Sequence, residues 1–263
     1  MGILNITPDS FSDGGLWVDR DRALRHAMEM AEAGADIIDI GGESTRPGSR
    51  AVNVQQELDR VIPLIELVVA GTGLPVSIDT SKPEVMEAAV RAGAGMINDV
   101  FALRKEGALE TAATLDVPVC LMHMQGRPGD MQHEPEYEDV VGEVRNFLLA
   151  RADCCEAAGI PQQNIIIDPG FGFGKTLQHN MDLFKAIPAF VATAYAVLVG
   201  ISRKSMLGQL SEKAVDQRLA ASLSAAVMAA QAGAAIVRVH DVDETVDALK
   251  VARALQSGWS ETQ

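Results

Sequence analysis

Eight short β-branched runs of this chain end in side chains that hydrogen-bond or carry charge. Asn5, Asp39, Asp79, Asn98, His123, Asp168, Ser202 and the pair Arg238 and His240 each fall at or near the carboxyl end of such a run. For any one of them, a role as a cap or loop anchor is the plainer reading. Together they describe a site, because a set of buried strands ending in polar side chains is no packing device. Asp79, Asn98, Asp168 and Lys204 supply two carboxylates, an amide and an ammonium. That set suits a small ring with donors and acceptors on its edge, since a 2-amino-pyrimidinone presents adjacent N–H groups that one carboxylate accepts in pairs. The alternative, in which these Asp and Lys side chains only pair with each other, requires a costly burial with no other purpose. Arg46, Arg203, Arg238 and His240 form a second, cationic set. In a chain with a formal net charge of −14 they are the candidates for catching an anion, although Arg46 or Arg203 alone reads as an ordinary surface charge.

Other chemistries fit less well. Gly170-Phe-Gly-Phe-Gly174-Lys175-Thr176 suggests a nucleotide loop, but a phosphate-binding loop of the Walker type needs glycine five residues before Gly174, where Pro169 stands. Its glycine spacing also fails the dinucleotide fingerprint, and a glycine-rich loop against which a flat ring lies is the more economical reading. His123, His133, His179 and His240 have no metal-ligand spacing. Ser202 is followed by Arg203 and Lys204, so it sits on no nucleophile elbow.

The elements that must position these residues are legible as an alternation. Strands are expected at Gly2–Ile6, Asp36–Ile40, Val76–Asp79, Met96–Val100, Val117–His123, Ile165–Asp168, Val197–Ser202 and Ile236–His240. Helical patterns follow them at Asp19–Ala33, Val54–Val69, Pro83–Ala92, Glu106–Leu115, Tyr137–Ala158, Asn180–Ile187, Val215–Ala232 and Val242–Leu255. Eight strands alternating with eight helices imply a parallel sheet, and the expected fold is a single-domain (β/α)₈ TIM barrel over residues 1–263. An open doubly wound sheet is the alternative. Four helices end at Ala-Gly just before a strand, at Gly34, Gly93, Gly159 and Gly233, where glycine supplies the left-handed stop. In a barrel the strand ends converge on one face, which is where such enzymes place chemistry.

Composition agrees. The 263 residues are 48% hydrophobic and only 4% aromatic, with small aliphatic residues carrying the core, as helix-wrapped parallel strands require. The acidic balance argues against nucleic acid and anionic membranes as partners, so a phosphate-bearing ligand must be caught locally. Cys120, Cys154 and Cys155 are too few and wrongly spaced for a disulfide framework or zinc knuckle. With no run of about 20 apolar residues and no signal peptide, the expected location is the cytoplasm. The Asn5-Ile6-Thr7 sequon is then accidental, and Met1-Gly2 lacks the Ser or Thr at position 6 of a myristoylation signal.

Longer motifs carry a resemblance. Asn5-Ile-Thr-Pro-Asp-Ser-Phe-Ser-Asp-Gly14, Gly41-Gly-Glu-Ser-Thr-Arg-Pro-Gly48, Ile78-Asp-Thr-Ser-Lys-Pro83 and Ile97-Asn-Asp99 occur in order. Met122-His-Met124, Asp168-Pro-Gly-Phe-Gly-Phe-Gly174, Ser202-Arg-Lys-Ser205 and Arg238-Val-His-Asp241 follow them. Across nearly the whole chain they resemble the signatures of the dihydropteroate synthase family. The resemblance implies a transferase of folate biosynthesis that joins a dihydropterin diphosphate to 4-aminobenzoate, works as a homodimer and is a sulfonamide target. It implies that Asp79, Asn98, Asp168 and Lys204 hold the pterin edges, with Met122, Gly172 and Phe173 lining the pocket and Arg238 against the ring face. Asp79, Lys204 and Arg238 are the implied catalytic groups. Asn5 is implied to bind Mg²⁺ with the diphosphate, which Arg46, Arg238 and His240 also contact. Phe11, Thr45, Pro47 and Ser205 are implied to build the 4-aminobenzoate site. The family's usual segment before the first strand is expected to be missing, which bears on stability rather than on the site.

Two rival readings differ from this one at named residues. A methyltetrahydrofolate:corrinoid methyltransferase-like barrel shares Asp79, Asn98 and Asp168 but has no use for Ser44–Pro47 or Ser202–Ser205. A silent pterin-binding paralogue is expected to lose Asn5, Arg46 or Arg238, and all three are present.

Overall fold

A computed structural model describes residues 1–6, 16–44, 52–126 and 135–257. Eight four- or two-residue strands lie side by side in chain order, all parallel: β1 (Gly2–Asn5), β2 (Ile38–Gly41), β3 (Val76–Asp79), β4 (Met96–Asp99), β5 (Val119–Met122), β6 (Ile165–Asp168), β7 (Ala196–Val199) and β8 (Ile236–Val237). The row curls until its ends meet. Val239 accepts from Ile3 N–H at 3.0 Å and donates to the Met1 carbonyl at 3.0 Å, a parallel bridge between Gly2 and Val239.

Around the strands run ten helices among the described residues. They are α1 (Leu16–Glu32), α2 (Val54–Thr72), α3 (Pro83–Arg91), α4 (Ala108–Leu115), α5 (Val140–Ala157), α6 (Leu177–Lys185), α7 (Ile187–Val191), α8 (Ser205–Ser211), α9 (Leu219–Gln231) and α10 (Val242–Ser257). None is long and apolar enough to cross a membrane. Eight helices were expected from the pattern. The segment expected as one helix over Asn180–Ile187 is divided, because Pro188 in the first turn of α7 offers no N–H to continue α6. Helix α8 has no counterpart in the pattern reading. It is two turns long and contains Gly208, whose added Cβ would meet the Arg218 guanidinium at 2.2 Å. Strand β8 is shorter than expected because its ladder splits: Arg238 N–H bonds the Val199 carbonyl while Val239 N–H turns to Met1.

The four Ala-Gly stops share one geometry. Gly34, Gly93, Gly159 and Gly233 all have φ between 95° and 110°. In each case the glycine N–H reaches back three residues and the next N–H reaches back five, as in Ala35 to Met30 at 2.9 Å and Ala234 to Ala229 at 3.0 Å. This is the Schellman arrangement, which satisfies two orphan carbonyls and turns the chain toward its strand.

Alternation along the strands decides what faces the barrel axis. In β2, Ile38 and Ile40 pack outward among the helices, in one large core with Leu64, Ile65, Ile78 and Met86. On the inner face a separate apolar plug closes one end of the barrel. It is made of Met1, Met96, Cys120, Ile166 and Leu198, with Ile37 and Ile236 against it. Two residues further along the same faces stand Asp39, Asn98, Met122, Asp168, Gly200 and Arg238. Four of these six strands thus pass from apolar to polar within one interior step, at Asp39, Asn98, Asp168 and Arg238, and the polar layer opens toward the carboxyl ends.

Candidate active site

The floor of the site is an ion cluster on the barrel axis. Arg238 donates from Nε to Asp39 Oδ2 at 2.6 Å and from Nη2 to Asp79 Oδ2 at 2.9 Å. Asn98 donates from Nδ2 to the same Asp39 oxygen at 3.2 Å. Asp39 has no exposed surface, whereas Asp79 stands nearer the opening. Burial works against the charge of Arg238, and Asp39 and Asp79 more than reverse that, holding it cationic. Burial pushes Asp79 up to about 7 against the pull of Arg238, with Asp39, Asp99 and Glu57 adding to the rise. One guanidinium therefore serves two carboxylates, of which Asp79 is poised to take a proton near neutral pH.

The wall comes from the β6 end. Asp168 Oδ1 accepts from Gly170 N–H at 2.7 Å. Burial raises its pKa, and Lys204 pulls it back. Lys204 donates to the Phe171 carbonyl and lies 4.6 Å from the Phe173 ring centre, and burial lowers it to about 8 against the attraction of Asp168. Phe173 packs beside Val100, Met122 and Met124, so one side of the opening is apolar and flat. Gly170 (φ 70°) has to be glycine, because a Cβ would lie 1.9 Å from the His123 carbonyl. At Gly172 (φ 79°) a Cβ would meet Lys204 Cδ at 3.2 Å, so the loop backbone and the lysine stem are in close contact.

The lysine of the Gly-Lys-Thr run turns inward. Lys175 is 3% exposed, and its Nζ reaches the carbonyls of Gly170 (2.9 Å), Phe173 (3.0 Å) and His123 (3.3 Å) and the His123 Nδ1 (3.0 Å). It pins the glycine-rich loop from behind, its ammonium committed to these protein groups. Burial draws it down to about 7. His123 is driven down to about 3, first by burial and then by the Lys175 charge.

At the β7 and β8 ends, His240 Nδ1 lies 3.0 Å from Ser202 Oγ, which also accepts from His240 N–H at 3.2 Å. Ser205 is exposed at the first position of α8. Arg203 corrects the sequence reading. With φ at 58° it swings outward and forks onto Asp241, Nε to Oδ2 at 3.0 Å, so it is a surface clamp and not part of the anion set. Asn5 stands over Gly41. A Cβ there would lie 2.9 Å from Asn5 Oδ1 and 3.7 Å from Asp79 Oδ2, so this glycine lets the two oxygens approach one point. The Asn5 amide makes no hydrogen bond to any described residue, which suits an oxygen donor for a hard cation. Among the described residues no three His, Cys, Asp or Glu side chains gather to hold a metal, so a cation there would take most of its ligands from its own anion.

Phe11, Thr45, Arg46 and Pro47 lie outside the described residues. The ends of segment 45–51 are nevertheless tied together. Glu43 Oε1 accepts from Val52 N–H at 3.1 Å, and its Oε2 meets Lys82 Nζ at 2.5 Å. Lys82 also pairs with the buried Glu57, which accepts from Thr80 Oγ1 at 2.6 Å. Sequence reasoning placed Asp39 at a strand end without a role and gave Lys175 and Lys82 none. A lone Asp inside Ile-Asp-Ile was the one available signal.

Three comparisons bear on this geometry. The pterin binding enzyme family matches residues 1–240. The dihydropteroate synthase of Escherichia coli K12 is 51% identical over 98% of this chain and 91% of its own length. A dihydropteroate synthase structure from Xanthomonas albilineans, with 4-aminobenzoic acid, superposes with a TM-score of 0.92 at 54% identity, covering 97% of this chain and 92% of that one. One from Yersinia pestis, in complex with a sulfonamide drug, superposes at 0.93 with 49% identity, covering 98% and 94%.

The neutral His123 has a consequence for acid stability. Its folded pKa lies below the unfolded value of about 6.5, so below that pH the unfolded chain binds the extra proton and folding weakens. Stability is expected to fall with pH below about 6.5 by up to ~1.4 kcal/mol per unit from this residue. Urea midpoints at pH 7 and pH 5 for wild type and His123→Gln check it: the wild type should lose more than the variant. Parallel pH curves would show that His123 is not held neutral.

Proposed function

This chain belongs to the pterin binding enzyme family, and we infer from the site it carries that it is a dihydropteroate synthase. It joins 6-hydroxymethyl-7,8-dihydropterin diphosphate to 4-aminobenzoate, releasing diphosphate, as a transferase of folate biosynthesis. The observation that carries this reading is the convergence of Asp79, Asn98, Asp168, Lys204 and Arg238 on one polar layer beside the flat Phe173 wall.

In this reading Asp168 and Asn98 read the pyrimidinone edge, a carboxylate accepting paired N–H groups and an amide completing the pattern. Lys204 supplies a donor and positive charge on the same side. Met122, Gly172 and Phe173 give the ring its apolar seat, and Arg238 lies against its face. Arg46, Arg238 and His240 receive the diphosphate, while Phe11, Thr45, Pro47 and Ser205 enclose 4-aminobenzoate. Asn5 is the protein's ligand for Mg²⁺, its amide oxygen beside Asp79 fitting a hard cation that reaches the site with diphosphate. When bound, Mg²⁺ contributes neutralisation of the diphosphate charge.

The methylene C–O bond breaks with its electron pair going to diphosphate, and the electron-rich dihydropterin delocalises the positive charge left behind. Asp79 in its ionised form stabilises that cation electrostatically, and the growing positive charge in turn favours the carboxylate against the burial that raises its pKa. The aniline nitrogen then forms the C–N bond and releases a proton to solvent. The protein's work is alignment and charge complementarity, and no covalent protein intermediate is needed.

The whole of residues 1–263 is taken as one domain, working in the cytoplasm, where its three unpaired cysteines stay reduced. It pairs as a homodimer. Among the described residues, six of the eight exposed large apolar side chains lie in or between α8, α9 and α10: Leu210, Val215, Leu219, Met228, Val251 and Leu255. That clustering is a natural subunit face.

Diphosphate release should require both the pterin diphosphate and 4-aminobenzoate, and a sulfonamide should inhibit it competitively with 4-aminobenzoate. Release that ignores 4-aminobenzoate sinks the assignment. Asp168→Asn replaces a double acceptor by a group with one mismatched donor, so pterin affinity should drop by ~2–4 kcal/mol in calorimetry. An affinity within about threefold of wild type would remove Asp168 from the pocket. Sedimentation should give twice the chain mass at micromolar concentration, and Met228→Asp should shift it toward one. A wild-type monomer would refute the subunit face.

A further inference from the structure

Asp39 is the one charged group of the floor with no surface open to a ligand. It lies one interior step beneath Asp79, since it pairs in register with Ser77, two residues earlier on β3. A carboxylate buried to this degree needs a reason, because an apolar side chain of similar size would cost less to bury. Saturating its own bonds is not the reason. Its Oδ1 has no hydrogen-bond partner among the described residues, nor has the Ser77 hydroxyl next to it.

What Asp39 does make are two bonds to residues of the pocket. Its Oδ2 accepts from Arg238 Nε and from Asn98 Nδ2. The guanidinium is planar, so fixing Nε to Asp39 and Nη2 to Asp79 sets its plane and leaves Nη1 with no partner among the described residues. The Asn98 amide has one donating and one accepting end. With the donating end turned down to Asp39, the accepting oxygen is the end presented to the ring. An amide without that anchor is able to flip and offer the opposite pattern.

We propose that Asp39 is a positioning residue of the pterin pocket, fixing the plane of Arg238 and the acceptor orientation of Asn98. The inference rests on the pterin reading above. It identifies a residue that shapes what the ring meets without touching it. The charged groups facing Asp39 are Arg238 from just beyond β8, Asp79 from β3 and the Met1 ammonium. Arg238 alone bonds it, so its influence travels through Arg238 and the amide.

The test compares wild type, Asp39→Asn, Asn98→Ala and the double variant by calorimetry with a pterin, alongside KM for 4-aminobenzoate at saturating pterin diphosphate. Asp39→Asn should weaken pterin binding at least tenfold and leave KM for 4-aminobenzoate within about twofold, with Tm recorded to show that the variant is folded. In the double variant the loss should fall at least threefold short of the product of the single losses. Pterin affinity within twofold of wild type in Asp39→Asn, or losses that simply multiply, overturns the proposal. A wild-type protein that binds no pterin overturns the pocket reading itself, and the proposal with it. Should Asp39→Asn fail to fold, the wild type still decides. The Arg238 Nε–H resonance, identified by its absence in Arg238→Lys, should exchange with water at least tenfold more slowly than those of exposed arginines. Equal exchange overturns the proposal.

Discussion

The guanidinium of Arg238, held between Asp39 and Asp79 on the barrel axis, sets terms that the rest of the structure meets. Removing one member of such a cluster leaves an uncompensated buried charge, at a cost of ~3–5 kcal/mol. The cluster therefore needs its partners delivered from three strands at fixed heights, and parallel register with four-residue strands does this. It also needs water kept from below, which the plug of Met1, Met96, Cys120, Ile166 and Leu198 provides. Stability must then come from elsewhere. The large cores lie outside the strands, where Ile38, Ile40 and Ile78 meet α2 and α3, and where Phe171, Phe190 and Leu183 fill the space beyond β6 and β7. The interior is thereby released from holding the fold together and is free to carry polar groups.

The glycine-rich loop after β6 meets a related constraint by another route. A flat wall needs backbone brought close and kept still, and glycines alone would leave it loose. Lys175 compensates by gathering the carbonyls of Gly170, Phe173 and His123 onto one ammonium. The same residues that look like a phosphate loop in sequence thus form a loop braced from behind by its own lysine. On the proposed reading, the anion is left to side chains at other strand ends, a local solution that a chain of net charge −14 requires.

Much of this was legible from local pattern. Val76–Asp79 and Ile165–Asp168 coincide with their strands residue for residue, because a β-branched run ending in Asp marks both the strand and its mouth. The Ala-Gly stops were equally plain, since only a left-handed residue closes a helix that way. What escaped depended on contacts between distant segments. Asp39 and Arg238 are 199 positions apart, and they meet because β1 and β8 close the ring. Arg203 looked like a member of the anion set until its φ of 58° turned it toward Asp241. Helices α7 and α8 were hidden by Pro188 and Gly208, residues that normally argue against a helix. Lys175 carried no signal at all, because its partners are backbone carbonyls.

The bond from Glu43 to Val52, backed by Lys82 and Glu57, draws the two ends of segment 45–51 into a neck. Once a neck is fixed, the length of chain beyond it matters little to the body it stands on. Doubling a loop costs only about 0.6 kcal/mol in closure entropy. Heritable changes in the length of that segment therefore cost the scaffold little closure entropy. On the roles proposed for Thr45, Arg46 and Pro47, a change of ligand discrimination and the upkeep of the scaffold would fall to separate residues.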